Sequence, residues 1–236
     1  MTLTFVACDR DTGLLGIALA TNALAVGARC PVIRAGVGAA SSQAFTDPGL
    51  GHKAIALLER GLDPQAAIGE LARSDPHFAW RQIGIVDWTG RAAVHTGANT
   101  LAHRGAVGGE GYVAMGSLLG SERVVGEMER AWRDSAGALF EERLMRALTA
   151  GRDAGGDAGG HRSACLLVHD DEPYGRTDLR IDFAPKRADA PDAVDQLWQA
   201  FERYRPLIAY YKRRPHDPAM PGWSAWLQAQ GAEFAD

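Results

Sequence analysis

The chain has 236 residues, 46% of them hydrophobic and 23% charged, which suits one large domain whose core needs no metal or disulfide staple. Its 25 basic and 29 acidic side chains give a formal charge of −4, which argues against a nucleic-acid or anionic-membrane surface. Cys8, Cys30 and Cys165 are too few and too scattered for a disulfide framework, and they point to a reduced, cytoplasmic setting.

Residues 2–8 are rich in β-branched side chains with rough alternation and read as a strand. Residues 9–13 are a turn cluster, and residues 14–21 form a second strand that closes a hairpin on the first. The apolar stretch 14–28 is interrupted by Gly16, Thr21, Asn22 and Gly27, so no membrane span is expected there. No basic segment leads into an apolar core at the N-terminus, so no signal peptide is expected either. Residues 31–34 and 37–41 make a second strand pair, with Gly36 and Gly38 read as hairpin glycines rather than half of a dinucleotide loop.

The period then changes to that of a helix. Leu50, Ala54, Leu57 and Leu58 share one face, and Gly61 is placed to end the helix. Asp63 and Pro64 open a second helix to about residue 73. Residues 81–86 and 91–95 form a further hairpin. Residues 97–120 are glycine-rich and yield no clear element. Helices are expected from Ser121 and over residues 138–150, then strands over 163–168 and 179–182. A last helix is expected to open at Asp189-Ala190-Pro191, and the tail from Pro215 shows little regular pattern. Strands that come in pairs imply antiparallel sheets, and helix pairs between them suit an αββα sandwich of two stacked sheets. The expected division is a domain over residues 1–205 with an extension over 206–236.

Familiar motifs are largely missing. The seven histidines include no H-E-x-x-H pair, the cysteines lack zinc spacing, and no metal site is expected. There is no G-x-S-x-G and no S-x-x-K. Cys8, inside a strand, reads as a small buried hydrophobe. Thr2 is different. Removal of Met1 before a residue this small would make Thr2 the N-terminus. Its α-amine, with a reference pKa of roughly 7.7–8.0, could then serve as the base for its own hydroxyl.

The segments TFVACDRDTGLLGIALAT, AVGARCPVIRAGVGAASSQAFTDPGLG, RQIGIVDWTGRAAVHTG and GGDAGGHRSACLLV, followed by DLRID, resemble in that order the DUF1028 family. That family is assigned to the N-terminal-nucleophile (Ntn) hydrolase superfamily, and the resemblance covers about residues 2–205. It implies the same αββα sandwich, with Thr2 in the nucleophile position. RDAGGDAGGHRSACLLVHDD also looks like the stretch of proteasome β-subunits that supports the N-terminal threonine. By that likeness Asp157 orients the amine, Ser163 hydrogen-bonds near it, and Gly159 and Gly160 let the backbone approach. Gln43 and Thr46, in the family's QAF-x-x-P run, are implied substrate contacts, with helix capping by Thr46 or Asp47 as the alternative. Asn22 falls where many relatives carry lysine or arginine, and Arg180 is expected to be buried and paired with Asp182 or Asp157. Relatives commonly carry asparagine where Ser117 stands. The lysine that tunes proteasome-type sites has no counterpart on an early strand, since Lys53, Lys186 and Lys212 are the only lysines. The implied activity is cofactor-free hydrolysis of a small amide, carbamoyl or cyclic amide, in a cytoplasmic homo-oligomer, at its simplest a dimer. The alternative is a non-catalytic ligand-binding or assembly protein on the same fold.

Overall fold

The computed structural model describes residues 2–187 and 189–231, so Met1, Ala188 and the last five residues lie outside the described chain. Ten strands are described: β1 (Thr2–Asp9), β2 (Leu14–Thr21), β3 (Pro31–Arg34), β4 (Gly38–Ala44), β5 (Arg81–Asp87), β6 (Ala92–Thr96), β7 (Gly105–Gly109), β8 (Tyr112–Ser117), β9 (Ser163–His169) and β10 (Thr177–Ile181). They form a six-stranded sheet in the order β10-β9-β2-β1-β8-β7 and a four-stranded sheet in the order β3-β4-β5-β6. Every pairing between these strands is antiparallel. Helices α1 (Pro48–Glu59) and α2 (Pro64–Ser74) cover the smaller sheet; α3 (Val124–Asp134), α4 (Phe140–Asp153) and α5 (Ala193–Tyr204) cover the larger. The chain therefore forms the αββα sandwich that its paired strands imply.

Side-chain alternation builds the layers. In β1, Leu3, Phe5 and Ala7 pack outward under α3, α4 and α5, while Val6 and Cys8 face the other sheet. In the smaller sheet Ala40, Ile83, Ile85 and Ala93 face α1 and α2, and Ala39 and Val86 face inward. A strand covered on both faces has no reason to alternate in polarity, and β2, LLGIALAT, is buried at all eight positions.

The structure departs from the sequence reading in four places. The glycine-rich stretch holds the hairpin of β7 and β8, turned through Gly111 at φ 78°. Its glycines hide the pattern because they accommodate neighbours: a Cβ on Gly109 would sit 2.3 Å from the Tyr112 ring, and one on Gly116 would sit 2.5 Å from Leu119. The last helix is capped by Asp192 rather than opened at Asp189, because Asp192 accepts from the N–H groups of Val194 and Asp195 while Asp195 answers its backbone. The helix expected from Ser121 begins at Val124. The tail is more regular than expected: α6 (Ile208–Arg213) and α7 (Trp223–Ala229) gather Leu207, Tyr210, Met220 and Leu227 into a small apolar cluster.

Backbone contact fixes the loop after β8. Leu119 bridges to Asp157, and the Gly120 N–H donates to the Gly156 carbonyl at 2.9 Å. A Cβ at Gly120 would lie 2.4 Å from the Gly155 carbonyl oxygen, which is backbone and cannot rotate away. Gly120→Ala should therefore cost about 1–3 kcal/mol in urea unfolding. Gly126→Ala, on the exposed face of α3 with nothing within 4 Å, should instead stabilise the protein by about 0.5–1 kcal/mol.

Candidate functional site

Strand register assembles the site at one end of the sandwich. Thr2 stands opposite Ser117 of β8, and Thr21 opposite Ser163 of β9. Leu3 opposite Ala20 puts Thr21 next to Thr2 across the β1–β2 pair. Cross-strand partners share a face, so four hydroxyl side chains form a row across four adjacent strands, turned toward the smaller sheet. All four residues are buried. The Thr2 hydroxyl donates to the Thr21 oxygen at 3.3 Å, and the Thr21 oxygen also accepts from the Ala23 N–H at 3.3 Å.

Gln43 reaches this row from the opposite sheet. Its amide nitrogen donates to the Thr2 carbonyl at 3.2 Å and to Gln82 Oε1 at 2.8 Å, while its own oxygen accepts from the Thr4 hydroxyl. Gln82 continues the chain, with its amide nitrogen within 3.0–3.2 Å of Thr96 Oγ1 and the carbonyls of Gly105 and Gly116. A primary amide carries two hydrogens, so one of these contacts is shared. Gln43 is fully buried, which makes it a link between the sheets rather than an exposed lining of the cleft mouth.

Asp157 and Ser163 hold the turn that follows β2. Asp157 Oδ2 accepts from the Asn22 N–H at 2.8 Å and Oδ1 from the Gly159 N–H at 2.7 Å. Ser163 Oγ donates to the Ala23 carbonyl at 2.8 Å and accepts from the Val26 N–H at 3.1 Å. Behind Asp157, its N–H donates to His161 Nε2 at 3.1 Å, so the ring proton sits on Nδ1 and points to Asp192 Oδ2 at 3.2 Å. Burial pushes the Asp192 carboxyl up. Hydrogen bonds from His161 and the Asp195 N–H, with the charge of Arg152, outweigh that and hold it at about 2.

Other expected residues lie differently. Thr46 touches the Cys30 thiol at 4.0 Å, and Asp47 caps α1 by accepting from the Gly49 N–H. Arg180 is not buried against Asp182 or Asp157; it is a partly exposed edge-strand residue paired with Asp178 at 2.7 Å. Asn22 meets Asp157 through its backbone. Burial pushes the Cys8 and Cys30 thiols up to about 11 and the Cys165 thiol well above its ordinary value, so none supplies a thiolate at neutral pH. Among the described residues, no group of three His, Cys, Asp or Glu side chains is placed to hold a metal, and no helix is long and apolar enough to cross a membrane. A cleft of about 660 Å³ opens beside this end of the sheet, lined by Ala102, His103, Arg104, Gly105, Leu119 and Glu122.

Sequence reading missed Thr21, Gln82 and the support from His161. Thr21 had a signal: the first hairpin closes with Asp9 opposite Leu14, and counting back along both strands brings Thr21 beside Thr2. Gln82 had none, because its partners come from other strands.

A family model described as "Family of unknown function (DUF1028)" matches residues 2–190. The crystal structure of protein SPO2555 from Silicibacter pomeroyi, itself matched to that family model, is 30% identical with a TM-score of 0.77, covering 86% of this chain and 88% of that one. Anbu, the ancestral beta-subunit from Yersinia bercovieri, aligns over 94% of this chain and 99% of its own at 10% identity and a TM-score of 0.42. No curated protein matches the sequence.

The His161–Asp192 contact sets a pH dependence. The Asp192 carboxyl is depressed from an unfolded value near 3.9, so its contribution is complete above about pH 4 and is lost as pH falls through about 2. Asp192→Asn should lower stability at pH 7 by about 1–2 kcal/mol and flatten the loss between about pH 4 and 2, read by urea unfolding across that range.

Proposed function

The chain belongs to the DUF1028 family, and we propose that it is an amidohydrolase of the N-terminal-nucleophile type, with Thr2 as nucleophile on a small amide, carbamoyl or cyclic amide. The observation that carries this reading is the position of the Thr2 hydroxyl. It heads a central strand, in hydrogen-bond contact with Thr21, within a row of buried hydroxyls facing the space between the sheets.

Once Met1 is removed, the free α-amine of Thr2 has a reference pKa of roughly 7.7–8.0, near operating pH. It takes the hydroxyl proton, directly or through one water, as Oγ1 attacks the substrate carbonyl carbon. The C–N bond breaks, the nitrogen departs with that proton, and an ester on Thr2 remains for water to hydrolyse. Gln43 fixes the Thr2 carbonyl and so the direction of the strand start. Asp157 and Ser163 are positioning residues in this scheme, since they tie down the turn that follows Thr21, the last residue of β2, which meets the nucleophile. The working form is a cytoplasmic homo-oligomer acting on a small molecule, with the segment after residue 205 as an arm outside the catalytic unit.

One observation favours a second reading, a non-catalytic ligand-binding or assembly protein: Thr2 is only 4% exposed. Intact mass of the natively expressed protein separates the two, since the hydrolase requires a mass lacking Met1. On a panel of small amides, ureas and cyclic imides, Thr2→Ala should lower turnover by at least about 10³-fold with unchanged thermal unfolding. Retained methionine, or equal turnover by that variant, leaves only the second reading standing.

A further inference from the structure

Five large apolar side chains stand 42–56% exposed around the end of the sandwich that carries Thr2: Leu24, Phe45, Trp80, Leu101 and Phe183. Each is tied to the polar network. Leu24 follows Asn22, whose N–H binds Asp157. Phe45 follows Gln43, which holds Thr2. Trp80 precedes Arg81 and Gln82 at the start of β5. Leu101 lies in the loop leading to Gly105, whose carbonyl meets Gln82. Phe183 adjoins Asp182, whose carbonyl accepts from the Ala25 N–H at 3.0 Å.

These side chains are grouped. Phe45 and Trp80 meet edge to face at 5.0 Å, and the Asn99 N–H binds the Ala79 carbonyl, which brings the Leu101 loop to Trp80. The other exposed large hydrophobics described, Trp88, Tyr174, Tyr211 and Trp223, lie on opposite-end turns or the C-terminal helices. Single exposed apolar residues need no explanation, but five set around one candidate site do. Two nearby cations are held by oxygens of the chain: Arg81 by Asp75 and the Phe45 carbonyl, and Arg104 by the Thr100 carbonyl. The Arg162 guanidinium lies 5.2 Å from the Phe183 ring centre, and its buried Nε has no hydrogen-bond partner among the described residues.

We propose that this rim receives the acyl group of the substrate, and that the group is apolar and preferably aromatic: the bond cleaved is the amide of an aryl-alkanoic or branched alkanoic acid, not of a dicarboxylate. The proposal rests on Thr2 as the nucleophile. A matched pair of β-lactones, one bearing a 2-phenylethyl and the other a 2-carboxyethyl substituent, tests it on the processed protein. Attack by Thr2 Oγ1 opens the ring at its acyl C–O bond, leaving an ester on Thr2 and an alcohol on the probe. Mass spectrometry of the N-terminal peptide reads both rates.

The phenylethyl lactone should react at least about 10-fold faster, and Phe45→Ala or Trp80→Ala should reduce that ratio to below about 3-fold. Equal rates, a preference for the carboxylate, or a ratio indifferent to both variants overturns the proposal. If neither lactone labels Thr2, the nucleophile reading fails by itself. Tryptophan-fluorescence titration with 3-phenylpropan-1-ol and 4-hydroxybutanoate, which carry no amide, then decides the rim. A phenyl preference lost in Phe45→Ala upholds it, and no preference overturns it. Sedimentation velocity supplies the last outcome: a dimer that Trp80→Ala dissociates assigns the rim to a second copy and also overturns it.

Discussion

One buried amide, the side chain of Gln43, holds the two sheets in their mutual position at the functional end. It spends both hydrogens and its oxygen on partners from two strands, one in each sheet: the Thr2 carbonyl and Thr4 hydroxyl of β1, and the Gln82 carboxamide of β5. An apolar interface between sheets tolerates small slides, because one methyl contact replaces another at little cost. A carboxamide out of contact with water does not, since each unmade hydrogen bond leaves a group with its full desolvation penalty, about 1–3 kcal/mol. The strand start that carries Thr2 is therefore fixed relative to β4 by discrete bonds, while the rest of the inter-sheet layer, from Val6 and Cys8 to Ala39 and Val86, is ordinary close packing.

The fold was legible because its strands come in pairs with recognisable turns. The Asp9–Gly13 turn, the Gly36 hairpin and the Asp63-Pro64 helix start are local signals, and all three elements form where local chemistry puts them. The β7–β8 hairpin was not legible, because glycines chosen for contact with Tyr112 and Leu119 erase the apolar alternation that marks a strand. The site was legible only in part. Thr2 and Gln43 share one network, but Gln43 is an inter-sheet link, a role that depends on a register no single strand reveals. Arg180 fell outside because an edge strand, β10, lets its side chain out to Asp178, where a central strand would have enclosed it.

The polar residues near Thr2 divide by the job their bonds do. Asp157 Oδ2 and Ser163 Oγ bond backbone groups of the turn at residues 22–26, while Asp157 Oδ1 holds the Gly159 N–H of its own loop, so removing either residue frees a loop rather than a single contact. His161 and Asp192 extend this support to the cap of α5. That chain of bonds runs from the helix layer, through the Asp157 loop, to Thr21 and the Thr2 hydroxyl. Loops alone would leave the hydroxyl free to wander; a loop pinned at both of its carboxylate oxygens to backbone N–H groups does not.

Burial of Thr2 bears on chemistry as well as on access. A hydroxyl withdrawn from water loses competing hydrogen bonds, which favours its contact with Thr21. The same withdrawal strengthens every dipole facing the reacting carbonyl. A dry centre must still admit substrate, and an apolar rim is suited to that. It sheds water at little cost when an apolar group arrives, whereas a charged substrate would have to surrender its hydration to an apolar surface. On the proposed reading, the buried hydroxyl row and the exposed aromatic rim are two halves of one demand: a reactive group kept from water, reached through a surface that water leaves readily.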